Sequence, residues 1–407
     1  MKRNANKLVK YSKNHLQSTT IKWEYRTNPK HFTKESPLDF ETTSMIILNM
    51  VKKSLKAELM NYFYKLDKEL KIPSRQAFSE AREKIDYRLF KDFFEKSCEL
   101  ATTEQEVRLY KGYRLYATDG TSFTVGDLSK LSDYFGESTT VKGKAMCRIN
   151  AVVDVLNECI VNALVSPFET GERALAIIQT EELKTVSNAL YLFDRGYWSS
   201  ELVSKIIENG QKFLMRLSSN HKNAVAHGVN GDEYDLRRYT FILPSGEKEI
   251  LLTNIPEHEM SDDELAALYA KRWGVETKYL ELKARLQIDS FSGKSVNIVL
   301  QDIYSTLYIS NLVAFICYEA DEEIAEKTEG NNNKYKQKAN RSFCISALRC
   351  QFIDICLLDN PFQIDSAFQR LVDTISKEVI YIDKSKPKPR NSRQLKDSRR
   401  HKFNSLL

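Results

Sequence analysis

The sequence lacks the closely spaced cysteine and histidine pairs that bind zinc and other transition metals. It has 7 Cys and 6 His among 407 residues, and no two of the cysteines form a C-x-x-C pair. Three cysteines recur every six residues, which is wider than the spacing of thiolate metal sites, and an odd total argues against a complete set of disulfides. We therefore interpret the cysteines as buried or partly buried thiols.

The chain also lacks an apolar run that is long enough to span a membrane. The best candidate, Leu307 to Tyr318, is too short and is interrupted by Ser310 and Asn311. The first 34 residues are polar and basic, without the apolar core of a signal peptide. These features predict a cytoplasmic protein that has no membrane partner.

Acidic residues are scarce at both ends, and the positive charge is concentrated there. Residues 1–34 and residues 384–407 each contain nine Lys or Arg and one acid, a balance of +8 at either end. The net charge is +6, which leaves −10 for residues 35–383. We interpret residues 1–34 as a flexible basic arm and residues 384–407 as a basic tail that suit a polyanion such as DNA. The alternative is a pair of solvated, disordered tails.

Residues 35–105 have the three- and four-residue spacing of apolar side chains that is typical of helices. Ile47, Val51 and Leu55 belong to one such series, and Ser74 has the position of a helix N-cap. Short helices with short turns are compatible with a helix-turn-helix DNA reader, and equally with a plain helical bundle. We expect a helical N-terminal DNA-binding domain.

The middle of the chain alternates between strand and helix patterns. Three strands, with a tight turn at Asn157-Glu158, are followed by a helix, a strand, a helix and a strand. Residues 219–256 contain two further strands around a Pro244-Ser245-Gly246 turn, which we interpret as a small β insertion. The pattern predicts a mixed α/β domain over residues 106–320 and a helical C-terminal region over residues 321–383.

Two aspartates in this domain lie within or directly after predicted strands. Asp119 interrupts the first strand in ATDGT, and Asp194 ends a hydrophobic strand in LFDRGYWS. Carboxylates near strand ends can converge at one edge of a sheet. Each aspartate alone is weak evidence, because Asp-Gly is common in turns and Asp after a strand is a common helix cap. Asp154, on the second strand, is the substitute if one acid is wrong.

A third acid lies on one long helix predicted over residues 261–286, which begins with an N-cap serine. Tyr269, Arg272, Glu276 and Lys283 follow a Y-x2-R-x3-E-x6-K spacing, so their side chains share one helical face. Such a face suits a surface where the carboxylate binds a metal and the other groups bind phosphate. The alternative is a solvated helix in which Arg272 and Glu276 form an ordinary i,i+4 ion pair.

Together these segments resemble the DDE transposases of bacterial insertion sequences, specifically the insertion-sequence-four type, which is defined by a Y-R-E-K signature. The resemblance rests on ATDGT at 117–121, LFDRGYWS at 192–199 and YAKRWGVETKYLELKARLQIDSFSGKS at 269–295. The segment SRQAFSEAREKI at 74–85 is similar to the N-terminal helical segment of that family. The resemblance spans residues 74–320, and the complete signature helix is more specific than any single motif.

The resemblance implies an RNase H-like mixed sheet with a β insertion before the last acid. The residues that it assigns to catalysis and metal binding are Asp119, Asp194 and Glu276. The residues that it assigns to DNA phosphate are Tyr269, Arg272 and Lys283. Three carboxylates without metal-spaced His or Cys favour a hard ion, so two Mg²⁺ ions are expected, with Mn²⁺ as a substitute.

The implied activity is metal-dependent cleavage of transposon ends and strand transfer into target DNA, by cut and paste with a hairpin intermediate. The expected partners are double-stranded DNA and a second copy of the chain in a synaptic complex, in the bacterial cytoplasm and on the nucleoid. An extruded base would need an aromatic platform; Trp198 is a candidate, although Trp198 and Trp273 are more typical of core aromatics. The alternatives are a decayed or domesticated DNA-binding protein, and an RNase H-like nuclease without strand transfer.

Overall fold

The computed structural model describes residues 1–382, apart from several short segments. These segments are 2, 50–51, 53, 67–70, 127–128, 138–142, 222–224, 229–230, 232, 243–245, 247 and 331–334. The basic tail at 384–407 and part of the expected Pro244-Ser245-Gly246 turn therefore lie outside the described residues.

The described part of the chain contains helices at both ends and most of its strands in the middle. The helices are α1 (Asn4–Gln17), α2 (Thr19–Tyr25), α3 (Phe40–Asn49), α4 (Leu55–Leu66), α5 (Arg75–Arg82), α6 (Arg88–Thr103), α7 (Ser129–Phe135), α8 (Glu172–Glu182), α9 (Ser200–Glu208), α10 (Asp262–Tyr269), α11 (Trp273–Ala284), α12 (Val296–Thr328), α13 (Arg341–Cys356) and α14 (Pro361–Ile375). The strands are β1 (Arg114–Gly126), β2 (Ala145–Asp154), β3 (Cys159–Pro167), β4 (Ala189–Phe193), β5 (Lys212–Leu217), β6 (Arg237–Ile242), β7 (Lys248–Thr253), β8 (Lys336–Ala339) and β9 (Val379–Ile382).

The central sheet has seven strands in the order β3-β2-β1-β4-β5-β7-β6. Strands β1 to β3 form an antiparallel meander, whereas β4 and β5 join β1 in parallel, because the connecting helices α8 and α9 return the chain to the same end of the sheet. β4 is buried along its whole length, as expected of a parallel strand that is covered on both faces. This architecture is the mixed α/β sheet predicted from the sequence.

The expected β insertion is present as β6 and β7, and both strands extend the central sheet. β7 pairs antiparallel with β5, with Leu214 opposite Thr253, and β6 pairs with β7 at the outer edge. The hairpin thus continues the central sheet, since the outer edge of β5 offers unpaired backbone groups to it.

Helix α12 forms the core between the sheet and the terminal helices. It passes the length and hydropathy test for a membrane span, contrary to the sequence expectation, but its apolar window is entirely buried in the fold, so this is weak evidence for a span. Its polar residues have buried partners: the Asn311 side chain accepts from the Ile160 amide and donates to the Ile160 carbonyl, both at 2.8 Å. The Asn311 side chain therefore provides hydrogen-bond partners for backbone groups at the outer edge of β3, and Asn311 need not interrupt the helix.

The N-terminal segment is not a flexible arm in the structure. α1 buries Leu8, Val9 and Leu16 against α6, α12 and α14. Lys13 is buried as well and reaches the Leu358 carbonyl and the Asp359 carboxylate. The positive charge of residues 1–34 concealed an amphipathic helix whose apolar stripe stabilises it through tertiary packing.

The helices of residues 35–105 pack as a bundle around α12. α3 and α6 contact α12 directly, α5 packs on α3, and α4 packs between α3 and α13. Arg82 and Asp302 form an almost fully buried ion pair at 3.0 Å between α5 and α12. The segment at 74–85 thus helps to attach the bundle to α12.

The cysteines are free thiols, and most are buried as expected. Cys147, Cys159 and Cys344 are buried and Cys98 is partly buried, whereas Cys350 is exposed. Cys350 is therefore an exception to the sequence-based interpretation.

Candidate active site

Asp119 and Asp194 occupy equivalent positions on adjacent parallel strands. The β1–β4 register pairs Ala117 with Leu192, and each aspartate follows its pairing residue by two positions. Residues two apart on a strand point to the same face, and neighbouring strands are about 4.8 Å apart. β1 continues past Asp119 because β2 still pairs with it there, whereas β4 ends and Asp194 caps a short turn by accepting from the Arg195 amide at 2.8 Å.

The Asp119 carboxyl group lies in a partly dehydrated and crowded environment. Burial raises its pKa to about 6, and the neighbouring Glu172 and Glu276 carboxylates act in the same direction. The Gly120 amide, at 2.9 Å from Oδ1, and the Arg272 guanidinium oppose this shift. A bound cation would favour the ionised form of Asp119, because it would offset the cost of burying the charge.

Glu172, at the start of α8, is a fourth acid that the sequence analysis did not identify. A Cβ atom at Gly120 would lie 2.5 Å from the Glu172 carboxylate oxygen Oε1, so the glycine makes room for this side chain. The only sequence signal was an acid in the first turn of a predicted helix, which is common for reasons of the helix dipole alone.

The helix that carries Glu276 is divided into two. α10 begins with the predicted cap, because the Ser261 and Glu264 side chains form a complete capping box. A single 3₁₀ turn at Ala270–Arg272 then separates α10 from α11, whereas the sequence predicted one continuous helix. Despite this turn, the four signature residues still face the same side of the two helices.

The four signature residues face the same region of the sheet as the two aspartates. The Tyr269 hydroxyl donates to the Asp194 carboxylate at 3.4 Å, and Lys283 donates to the Thr121 hydroxyl, two residues after Asp119. Arg272 forms an ion pair with Glu276 at 2.7 Å. The structure therefore brings the predicted site residues to one place, and the i,i+4 pair is part of it.

The aromatic residues near the site differ in exposure. Trp273, whose ring lies 5.6 Å from the Arg272 guanidinium, is 50% exposed and is therefore not the core aromatic that we expected. Trp198 is partly buried, and its ring centroid lies 6.4 Å from that of His221. Tyr269 is buried, and this burial, followed by the Asp194 charge, raises the pKa of its hydroxyl.

The donor set suits a hard divalent ion, although the ligands are not assembled around one point. Asp119, Asp194 and Glu276 offer carboxylate oxygens, which Mg²⁺ and Mn²⁺ prefer. Within the described ranges, no group of three or more His, Cys, Asp or Glu side chains is arranged to hold a metal. Glu276 is instead engaged by Arg272. The residues fit the ion in the chemistry of their oxygen donors, but their positions do not form a complete ligand set.

Asp154 is not a substitute for any of these acids. Its side chain is buried and accepts hydrogen bonds from Asn157 and from the Leu156 amide, so it stabilises the β2–β3 turn. Burial raises its pKa to about 6. The Asp154 carboxylate oxygens are therefore occupied by hydrogen bonds within the fold.

The comparisons with known proteins agree with this architecture. A mixed sheet of this order, flanked by helices, defines an RNase H-like fold. Residues 110–312, about half of the chain, match the family model described as "Transposase DDE domain". Over this segment, the chain is similar to the DDE transposases.

One similar solved structure is a "piggyBac transposase synaptic complex with hairpin DNA", determined by cryo-electron microscopy. The match has a TM-score of 0.50 and 10% sequence identity, and it covers 95% of this chain and 88% of the other. At this identity the match shows the shared fold alone. None of the curated proteins matches the chain.

Proposed function

We propose that this chain is an active transposase of the Y-R-E-K type, which cleaves transposon ends and joins them to target DNA. The observation that carries this proposal is the set of contacts that gathers the signature face onto the two aspartate strands. Tyr269 reaches Asp194, Lys283 reaches the strand of Asp119, and Arg272 holds Glu276. A helix that was merely solvated would not direct its cations and its carboxylate to one edge of the sheet.

In this proposal Asp119, Asp194 and Glu276 hold two Mg²⁺ or Mn²⁺ ions. When bound, the ions would supply activation of the attacking oxygen and stabilisation of the leaving 3′ oxygen. The protein contributes the carboxylates, their orientation and the phosphate contacts. At neutral pH, which is above the Asp119 pKa of about 6, most of this carboxyl group is ionised and can bind a cation.

Arg272 has two roles in the proposal. In the chain without DNA, its guanidinium forms an ion pair with Glu276 at 2.7 Å. A DNA phosphate is a bidentate acceptor that can replace the carboxylate, and Glu276 is then available as a ligand. Arrival of DNA would therefore complete the third carboxylate position.

The reaction needs no covalent bond to the protein. Water first attacks the phosphodiester at the transposon end, which releases a 3′-OH, and this hydroxyl attacks the opposite strand to form a hairpin. A second water molecule would then hydrolyse the hairpin phosphodiester, which restores the 3′-OH and leaves a 5′-phosphate on the other strand. The 3′-OH attacks a target phosphate, and the bond from that phosphorus to the target 3′ oxygen breaks as the new P–O bond forms. Tyr269, Arg272 and Lys283 hold the phosphate in line. Trp198 remains the candidate platform for the extruded base.

The other parts of the proposal concern the assembly. The helices of residues 35–105 would bind the transposon ends, and the helices after residue 342 would contribute contacts in a homodimer. The protein would act in the bacterial cytoplasm, on the nucleoid. The piggyBac structure is titled both a synaptic complex and a complex with hairpin DNA; for the present chain, pairing of ends and hairpin formation are proposals.

The decisive experiment is cleavage of plasmids that carry the DNA flanking the gene, with Mg²⁺ or Mn²⁺. We expect nicking, hairpins and integrated products from the wild type, and loss of all three in Asp119→Ala, Asp194→Ala and Glu276→Gln. Asp263→Asn, an exposed acid on α10, is the matched control and should cleave normally. Full activity of any triad variant would contradict the assignment.

The same assay separates the two alternatives. DNA binding without metal-dependent nicking would identify a decayed or domesticated binding protein. Nicked products without integrants would identify a nuclease that performs no strand transfer.

A further inference from the structure

Tyr279, on α11, joins the helix of Glu276 to the strand of Asp119. Its side chain is 7% exposed, and its hydroxyl donates to the Asp119 carbonyl at 2.7 Å. The same hydroxyl accepts from the Ala151 amide at 3.1 Å. Asp119 and Ala151 are register partners across β1 and β2, so a side-chain hydroxyl bridges the ladder at the first acid.

The geometry determines which group receives the hydroxyl proton. The Ile149 carbonyl lies 3.2 Å from the Tyr279 oxygen, farther than the Asp119 carbonyl at 2.7 Å. A tyrosine hydroxyl has one hydrogen to donate, and the shorter contact to Asp119 takes it. The Tyr279 hydroxyl therefore donates one hydrogen bond to β1 and accepts one from β2.

Tyr279 is also in step with the signature residues along α11. It follows Glu276 by three residues and precedes Lys283 by four, so all three share one face. Tyr279 contacts β1 at residue 119 and Lys283 contacts it at residue 121. The rise from Tyr279 to Lys283 along the helix is about 6 Å, and the rise from Asp119 to Thr121 along the strand is about 6.6 Å. Because the two distances are similar, the two contacts hold α11 and β1 side by side.

We propose that the Tyr279 hydroxyl is a positioning group that sets the separation of the Asp119 and Glu276 carboxylates. This inference rests on the proposed function, because it concerns the same pair of acids. A phenylalanine would keep the ring packing but would release the Asp119 carbonyl and the Ala151 amide. The strand and α11 could then shift relative to each other, and the carboxylates would meet a divalent ion at the wrong spacing.

The test compares Tyr279→Phe with Tyr308→Phe. Tyr308 is also a buried tyrosine; its hydroxyl accepts from the Ser12 side chain at 3.1 Å, within the core of the helices. Both variants lose a buried hydroxyl, but only Tyr279 contacts the strand of Asp119. We expect the two proteins to have similar thermal stability and unchanged affinity for end DNA.

Mn²⁺ binding, measured with and without an end-DNA duplex, and the Mn²⁺ dependence of cleavage are the informative readouts. For Tyr279→Phe we expect Mn²⁺ affinity to fall about tenfold and cleavage to slow by about 10- to 100-fold, with partial recovery at high Mn²⁺. Hydrogen exchange should accelerate over residues 115–126 and 145–154. Tyr308→Phe should match the wild type in all of these measurements.

Two results would overturn the inference. One is Mn²⁺ binding and cleavage by Tyr279→Phe that equal those of Tyr308→Phe. The other is a general loss of stability and exchange protection throughout Tyr279→Phe, which would indicate a structural role alone. If the wild type cuts no end DNA, the proposed function fails, while Mn²⁺ binding and hydrogen exchange still decide the role of Tyr279.

Discussion

Replacing Asp119, the first acid of the proposed triad, by asparagine should stabilise the metal-free protein. Burial raises the pKa of Asp119 from 3.8 to about 6, so ionising this carboxyl group costs more in the folded chain than in the unfolded chain. Asparagine keeps the oxygen that accepts the Gly120 amide but carries no charge. Asp119→Asn thus removes the free-energy cost of burying the Asp119 charge. This cost exists only at pH values above the pKa that Asp119 has in the unfolded chain.

The sign and the size of the effect follow from proton linkage. A carboxyl group with a higher pKa in the folded state binds more protons when folded, so the wild-type free energy of unfolding falls as pH rises from about 4 to about 6. The rise in the Asp119 pKa from 3.8 to about 6 corresponds to about 3 kcal/mol in the free energy of unfolding. This figure is an upper bound, because the Asp119 side chain is only partly buried.

Urea denaturation with EDTA, at pH values from 4 to 8, measures this difference. We expect Asp119→Asn to equal the wild type near pH 4 and to exceed it by up to about 3 kcal/mol above pH 7, while DNA cleavage is lost. Asp235→Asn, at an exposed position, should show no such pH-dependent gain. An Asp119→Asn protein that is no more stable than the wild type at pH 8 would refute the reasoning.

Three further substitutions test other parts of the molecule. Lys283→Ala should leave the fold intact and weaken binding of end DNA, lowering the slope of log K against log salt by about one in a salt titration. Ser261→Ala removes the capping box with Glu264 and should cost about 1 kcal/mol in urea denaturation, with cleavage unchanged. Arg341→Met leaves the Glu281 carboxylate, which Arg341 contacts at 2.5 Å, buried with less compensation. It should destabilise the chain by roughly 3 to 5 kcal/mol; unaltered denaturation curves would contradict either stability prediction.

The structure changes how the signature helix is understood. The sequence presented Tyr269, Arg272, Glu276 and Lys283 as a row of groups for metal and phosphate, with an ordinary ion pair as the alternative. The row faces the aspartate strands, and Arg272 also pairs with Glu276, so the ion pair of the alternative lies within the candidate site, and the metal and phosphate roles stay predictions. Tyr279 belongs to the same row, and its spacing from Glu276 and Lys283 could have identified it.

Local patterns in the sequence were sufficient for the order of the seven strands of the central sheet along the chain, and for the shared face of α10 and α11. Side-chain direction follows from the period of a helix or a strand, and such periods involve residues only a few positions apart. The N-cap at Ser261 and the strand that ends before Asp194 are of this kind. The family resemblance then assigned roles to residues that the pattern had already aligned.

Only the tertiary structure decided which distant groups meet. The burial of α1, the Glu172 carboxylate over Gly120 and the bridge from Tyr279 to the β1–β2 ladder all join segments that are far apart in the chain. The positive charge of residues 1–34 was a poor guide to their structure, because a basic helix can still bury a narrow apolar stripe when a matching surface exists. The sequence determined the directions in which side chains point, whereas packing determined which neighbours they find there.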